Sequence, residues 1–130
     1  MHCYFDTSAA AKLLVEEVES DGLVAFLERA VEGGDVLGSS RLLETELRRL
    51  AIRVGIPREH VTQVLERLDL LVPDDDVFRT AGLLPGAGLR SLDALHVAAA
   101  LRGGADAVVT YDERQALAAR AVGLEVVAPT

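Results

Sequence analysis

The sequence predicts an α/β fold, with a central, mainly parallel sheet of four to five short strands flanked by about seven helices. Three observations lead there. Short apolar runs recur along the chain, around residues 3–5, 36–38, 70–72, 107–110 and 125–127. A segment with helical spacing follows each of the first four, and such alternation places parallel strands between layers of helix. Two of the runs, Cys3-Tyr4-Phe5 and Val108-Val109-Thr110, lead into an acid, Asp6 or Asp112, just ahead of a helix. In open α/β sheets the carboxyl ends of the strands are where ligands bind.

Taken in order, Asp6-Thr7-Ser8 leads into a first helix ending near residue 17. Ser20-Asp21 reads as the cap of a second helix to about residue 31, with Leu23, Phe26, Leu27 and Ala30 at helical spacing. Gly33-Gly34 stops it. Ser39-Ser40 caps a third helix to about Val54. Pro57 opens a fourth over residues 58–68, because its missing N–H costs nothing at a helix start. Asp74 or Asp75 caps a fifth helix through Leu84. Pro85-Gly86-Ala87-Gly88 is a loop. Ser91 caps a sixth helix to about Arg102, and residues 113–122 form a seventh before the last strand.

Composition narrows the function classes. With 130 residues, half of them apolar, a single domain over residues 1–130 is expected, its core built from Leu, Val and Ala because aromatics are only 4%. No apolar run reaches the ~18 residues of a membrane span, and the start has no basic segment leading into a long apolar one. With Cys3 as the one cysteine, a cytoplasmic setting is expected. The net charge of −8 argues against nucleic acid only as a sum. Residues 39–67 carry six arginines against four acids, whereas residues 1–38 carry eight acids against two basic residues. The arginine zone, with Arg48, Arg49 and Arg53 foremost, is the candidate platform for phosphate, which guanidinium grips bidentately. Ordinary solvated helix faces are the alternative.

The candidate chemistry lies in the acids. Parallel strands would bring Asp6 and Asp112 to one sheet edge, although Asp112 also suits a helix cap. Asp93 opens a helix that is apolar nearly all round, and a carboxylate there needs a partner: Arg90, His96 or a cation. On the third helix Leu43, Leu47, Leu50 and Val54 form a stripe, with Glu46 roughly 70° to one side beside Arg49 and Arg53, and Glu44 roughly 90° to the other. Glu46 is the better candidate for a half-buried acid, with Glu44 still open and a surface pair with Arg49 as the alternative. Two carboxylates 4 Å apart repel by ~4 kcal/mol at an effective dielectric near 20, which a hard divalent cation would relieve.

Asp6-Thr7-Ser8-Ala9, Glu46-Leu47-Arg48-Arg49, Leu92-Asp93-Ala94-Leu95-His96 and Thr110-Tyr111-Asp112 together resemble the PIN domain, in its small VapC-type toxin branch, over essentially the whole chain. The resemblance implies a Mg²⁺- or Mn²⁺-dependent endoribonuclease of a type II toxin–antitoxin pair. It also implies a homodimer, and inhibition by a VapB-type antitoxin. It assigns Asp6, Glu46, Asp93 and Asp112 to the acidic, metal-holding and catalytic set, and Ser8 and Thr110 to hydroxyl support. The apolar faces of helices one to three, rimmed by Glu16, Glu17 and Glu19, would suit a basic amphipathic inhibitor. A catalytically silent PIN module binding RNA or protein is the alternative. A phosphorylation-receiver domain lacks its lysine here, since Lys12 is the only one, and Ser8 stands where a haloacid-dehalogenase-like phosphatase needs an acid. The RNA target and the number of metal ions stay open.

Overall fold

The computed structural model describes residues Met1–Thr130. Five strands, β1 (His2–Phe5), β2 (Val36–Ser40), β3 (Asp69–Leu71), β4 (Ala107–Val109) and β5 (Glu125–Val127), form one sheet in the order β3-β2-β1-β4-β5. Every pairing is parallel. Seven helices connect or flank them: α1 (Thr7–Leu14), α2 (Ser20–Glu32), α3 (Arg41–Val54), α4 (Arg58–Glu66), α5 (Asp75–Leu83), α6 (Ser91–Arg102) and α7 (Glu113–Ala121).

The sheet separates two apolar layers by the two-residue period of its strands. Cys3, Phe5 and Val109 face a core shared with Leu23, Leu27, Leu43, Leu47 and Val61 of α2–α4. Tyr4 and Val108 face the other side, against Val77 of α5, Ala98 and Ala99 of α6 and Ala119 of α7. Alanines bring α6 close to the strands, so its first turn lies near their carboxyl ends. Strand β1 is central, with Phe5 paired to Val109 in β4. The order runs outward from β1 in both directions, which makes its end a topological switch point.

Several boundaries differ from the sequence expectations for local reasons. The first helix stops at Leu14, not near residue 17, because the Ser20 hydroxyl donates to the Lys12 carbonyl at 2.7 Å and accepts from Glu17 N–H. Ser20 and Ser91 begin their helices without capping them; Glu19 and Arg90 hold the N-cap positions with no side-chain cap. Ser40 and Asp74 do cap α3 and α5. The buried stripe of α3 is Leu43, Leu47 and Ala51, with Val54 52% exposed in the last turn before Gly55. That glycine ends α3 in the left-handed region at φ 77°, where a side chain would be strained. No helix is long and apolar enough to cross a membrane.

Candidate active site

Asp6 follows β1, and Asp112 follows β4 by three residues. Because β1 and β4 are parallel neighbours, both acids emerge at the carboxyl edge of the sheet. Asp6 keeps an extended backbone, φ −83° and ψ 177°, and caps α1 by accepting Ala9 N–H at 3.1 Å. It is only 4% exposed. The Ser8 hydroxyl donates to Oδ1 at 2.7 Å, and the Thr110 hydroxyl donates to Oδ2 at 2.5 Å. Burial pushes the Asp6 carboxyl above its ordinary range, and the hydrogen bonds from Thr110, Ser8 and Ala9 pull the other way. Thr110 also accepts the Asp112 N–H at 3.1 Å, so its hydroxyl passes a hydrogen bond from one strand end to the other. Ser8 further accepts the Tyr111 N–H at 2.9 Å.

Asp112 caps α7, its Oδ1 accepting from Arg114 N and Gln115 N at 2.8 and 3.3 Å. Both sequence readings of this residue are therefore compatible, since the cap uses one oxygen and leaves Oδ2. Asp93 lies in the first turn of α6 and is half-buried. Burial and the charges of Asp112 and Glu46 raise its carboxyl pKa, against the opposing influence of His96 and Arg90. Its side chain accepts no hydrogen bond; neither Arg90 nor His96, two of the partners expected from sequence, is bonded to it.

Glu46 and Glu44 part company on α3. Glu44 accepts from Arg41 and Arg48, each at 2.9 Å, and these pairs lower its pKa, Arg48 having the larger effect. Glu46 turns the other way and meets His96 Nε2 at 2.6 Å, not Arg49. His96 is 3% exposed, and its Nδ1 lies 2.7 Å from the Tyr4 hydroxyl. Burial raises the Tyr4 phenol well above its usual range, so the hydroxyl keeps its proton and can donate to Nδ1. Thr7 Oγ1 is 3.3 Å from Nε2. Sequence reasoning missed Tyr4 and Thr7 and offered His96 only as one of three candidate partners of Asp93, whereas its bond goes to Glu46. The signals were present: Tyr4 shares the face of Asp6 two residues on, and a histidine in an alanine-rich helix requires polar company.

The carboxylates do not stand as the tight cluster expected from sequence. No three Asp, Glu, His or Cys side chains form a ready-made metal-holding group. The reason is visible in their partners: Asp6 is turned onto two hydroxyls and an N–H, Glu46 onto His96, and one oxygen of Asp112 onto a helix start. The donor chemistry nevertheless fits a hard divalent cation. It is all oxygen, Asp93 is unpartnered under like-charge pressure, and Asp112 and Glu46 each retain an oxygen outside these bonds.

Of the arginines expected to meet phosphate, Arg49 and Arg53 are exposed. Arg48 is committed to Glu44 and approaches Thr62 Oγ1 at 3.3 Å. Of the acidic rim residues, Glu17 and Glu19 are both held by Lys12, at 2.6 and 2.9 Å.

Comparison with known proteins places this arrangement. The family model for the PIN domain matches residues 3–121. Ribonuclease VapC35 of Mycobacterium tuberculosis is 44% identical over 134 aligned positions, covering 97% of this chain and 96% of that protein. Ribonuclease VapC47 of the same species is 38% identical, with 97% and 96% covered. Among solved structures, VapBC2 from Rickettsia felis bound to a promoter DNA fragment superposes with a TM-score of 0.74 at 16% identity, over 98% of each chain. Mycobacterium tuberculosis VapC20, described as a sarcin-ricin loop cleaving toxin, gives 0.70 at 20% identity, over 98% of this chain and 99% of that one. On the extent of these matches, the chain belongs to the PIN domain family, in its VapC ribonuclease branch.

Proposed function

We propose that the chain is an endoribonuclease that hydrolyses RNA phosphodiester bonds with Mg²⁺ or Mn²⁺, acting as the toxin of a type II toxin–antitoxin pair. The observation that carries this reading is the half-buried carboxylate of Asp93 in the first turn of α6, which accepts no hydrogen bond from the protein, while burial and the charges of Asp112 and Glu46 raise its pKa against His96 and Arg90. Kinship with proteins named VapC ribonucleases supports the nuclease assignment.

Asp93, Asp112, Glu46 and Asp6 would hold the cation, which when bound would offset their repulsion, polarise the phosphoryl oxygens and make a water more acidic. The chain's own residues do the rest. Thr110 and Ser8 keep Asp6 oriented, and their hydrogen bonds pull its pKa down against the effect of burial. Asp93 offers an unpaired carboxylate, able to orient an attacking water by accepting its hydrogen bond. The α6 and α7 helix starts carry Asp93 and Asp112, so two helix dipoles favour the negative charge gathered there. Exposed Arg49 and Arg53 are the candidate contacts for the RNA backbone, with Arg48 held in reserve by Glu44.

The partner is proposed to be a VapB-type antitoxin. The name of the Rickettsia felis structure, a VapBC complex, supports this class of partner. The apolar faces of α1–α3 expected to meet an inhibitor are largely core, and Glu17 and Glu19 share the single charge of Lys12, so the inhibitor would contact the apolar residues left accessible on these helices, Val24, Val31, Ile52 and Val54. The exposed Phe78, Leu83 and Leu92 of α5 and α6 support a homodimer, and light scattering of the purified chain would measure its mass.

A cleavage assay tests the central claim. The chain, freed of any partner, is incubated with total RNA and Mg²⁺ or Mn²⁺, beside a chelator control and Asp93→Asn. Discrete fragments with 5′-phosphate ends, lost in both controls by at least about 100-fold, are expected, given how much catalysis such metal sites supply. No cleavage with bound Mn²⁺ demonstrated would favour the silent module, and 2′,3′-cyclic phosphate ends would refute hydrolysis by water.

A further inference from the structure

His96 stands out among the buried residues of α6, which are otherwise alanines and one valine. A buried imidazole is tolerable when its nitrogens are satisfied, and both are. Oε1 of Glu46 belongs to a carboxylate, which accepts, so the Nε2 atom 2.6 Å away carries the hydrogen. The Tyr4 hydroxyl at Nδ1 completes the pairing from β1, and the two rings meet edge-on, with centroids 5.8 Å apart and planes at 67°. The ring is therefore fixed by the central strand, and its one N–H is aimed at Glu46 Oε1 at 2.6 Å, with Thr7 Oγ1 farther off at 3.3 Å.

Glu46 needs such an anchor more than the aspartates do. Its side chain has one more rotatable bond, retains 24% exposure and emerges from a helix on the opposite face of the sheet from α6. Free, it would sample several rotamers, and fixing it would cost rotamer entropy at the moment of binding. His96 lies three residues beyond Asp93 on the same helix. One rigid element thus sets both Asp93 and the anchor of Glu46.

We propose that His96 is a positioning residue, whose Nε2–H holds Glu46 by Oε1 and thereby presents Oε2 to the acidic centre for a divalent cation. This rests on the reading of Glu46 as one of the cation-holding acids. The bond follows the pattern in which an outer partner orients a metal-holding side chain. Its direction is specific: the amide nitrogen of a glutamine at position 96 reaches towards the Nε2 position, while that of an asparagine reaches only towards Nδ1. A histidine that merely fills the core has no such preference.

The full chain is made as His96→Gln, His96→Asn, Glu46→Ala, and each His96 variant combined with Glu46→Ala. Calorimetric titration with Mn²⁺ reads affinity, and single-turnover cleavage of total RNA reads rate. His96→Gln is expected within about threefold of native in both, and His96→Asn weaker in both by about tenfold or more, the usual scale for an outer partner. In the Glu46→Ala background the two His96 variants should be indistinguishable. His96→Asn matching or exceeding His96→Gln, or the same gap persisting without Glu46, would overturn the positioning role. Native Mn²⁺ affinity and cleavage in Glu46→Ala alone would instead overturn the reading of Glu46, whatever His96 does. Should a His96 variant fail to fold, Tyr4→Phe removes the ring's other anchor and leaves the imidazole in place. A severalfold loss of Mn²⁺ affinity confined to chains that retain Glu46 supports the proposal, and an equal loss with and without Glu46 overturns it.

Discussion

Asp6 and Asp93 reach the same edge of the sheet and are treated in opposite ways. Asp6 sits at the end of the central strand, almost wholly buried, with both oxygens hydrogen-bonded. Asp93 is more open, has no partner and is pressed by Asp112 and Glu46. Burial raises both carboxyls, but at Asp6 the protein supplies donors against that rise, and at Asp93 it adds like charge. The difference separates an acid that the fold itself secures from one left for something outside the chain to satisfy.

The strongest challenge to this contrast is Thr110→Val, which keeps the side-chain shape and removes the 2.5 Å donor to Asp6. It should cost about 2 kcal/mol, since a buried carboxyl oxygen loses its partner, and the loss would appear as a drop of several degrees in Tm. A change within error would mean that Asp6 is less dependent on its hydroxyls than its geometry implies.

Asp93→Asn sharpens the contrast from the other side, in the presence of chelator. The folded-state pKa of Asp93 is raised, so the folded chain holds this proton better than the unfolded one. Its contribution to stability therefore falls as pH rises above the ordinary value of 3.8 and recovers on acidification. At neutral pH the asparagine variant should melt at or above the native temperature, and the gain should vanish on descending to about pH 4. A variant less stable at pH 7 would show that Asp93 has a protein partner after all.

The smallest effect is expected at Glu44→Ala. Its pairs with Arg41 and Arg48 are at the surface, where such contacts contribute about 0–1 kcal/mol. Cleavage and Mn²⁺ affinity should stay at native levels. A large loss of activity would return Glu44 to the site, in place of or beside Glu46.

The legible parts of the molecule were those written in local pattern. Strand-to-acid-to-helix at Asp6 and at Asp112 needs only neighbours in sequence, and the parallel sheet follows from repeating it. Ser8 and Thr110 were legible through family likeness, and their hydroxyls do meet Asp6. The choice between Glu44 and Glu46 was harder. It depends on a histidine 50 residues away, and helical spacing on α3 says nothing of what α6 turns towards it. The buried stripe itself ran through Ala51, not Leu50 and Val54, because which flank of the helix meets its neighbours is a tertiary property. Tyr4 escaped notice because an aromatic residue in a strand is ordinary, and only the partner shows why its hydroxyl is needed. The ready-made cluster of carboxylates was expected from their placement at one sheet edge and from family likeness, whereas the side chains found local donors first.

The position of β1 carries a consequence for synthesis. Its residues leave the ribosome before those of β2 and β4, yet the strand lies between these two and pairs with both. The hydroxyl that secures Asp6 is more than a hundred residues downstream, at Thr110, and Asp112 follows it. Contacts so distant in sequence close late. An incomplete chain can gather β1 and β2 with the helices of one face, but it lacks the strand, the hydroxyl and the last acid of the edge. The centre therefore cannot assemble until β4, Thr110 and Asp112 have been made, and a nascent or truncated chain that stops short of them carries Asp6 without the means to use it.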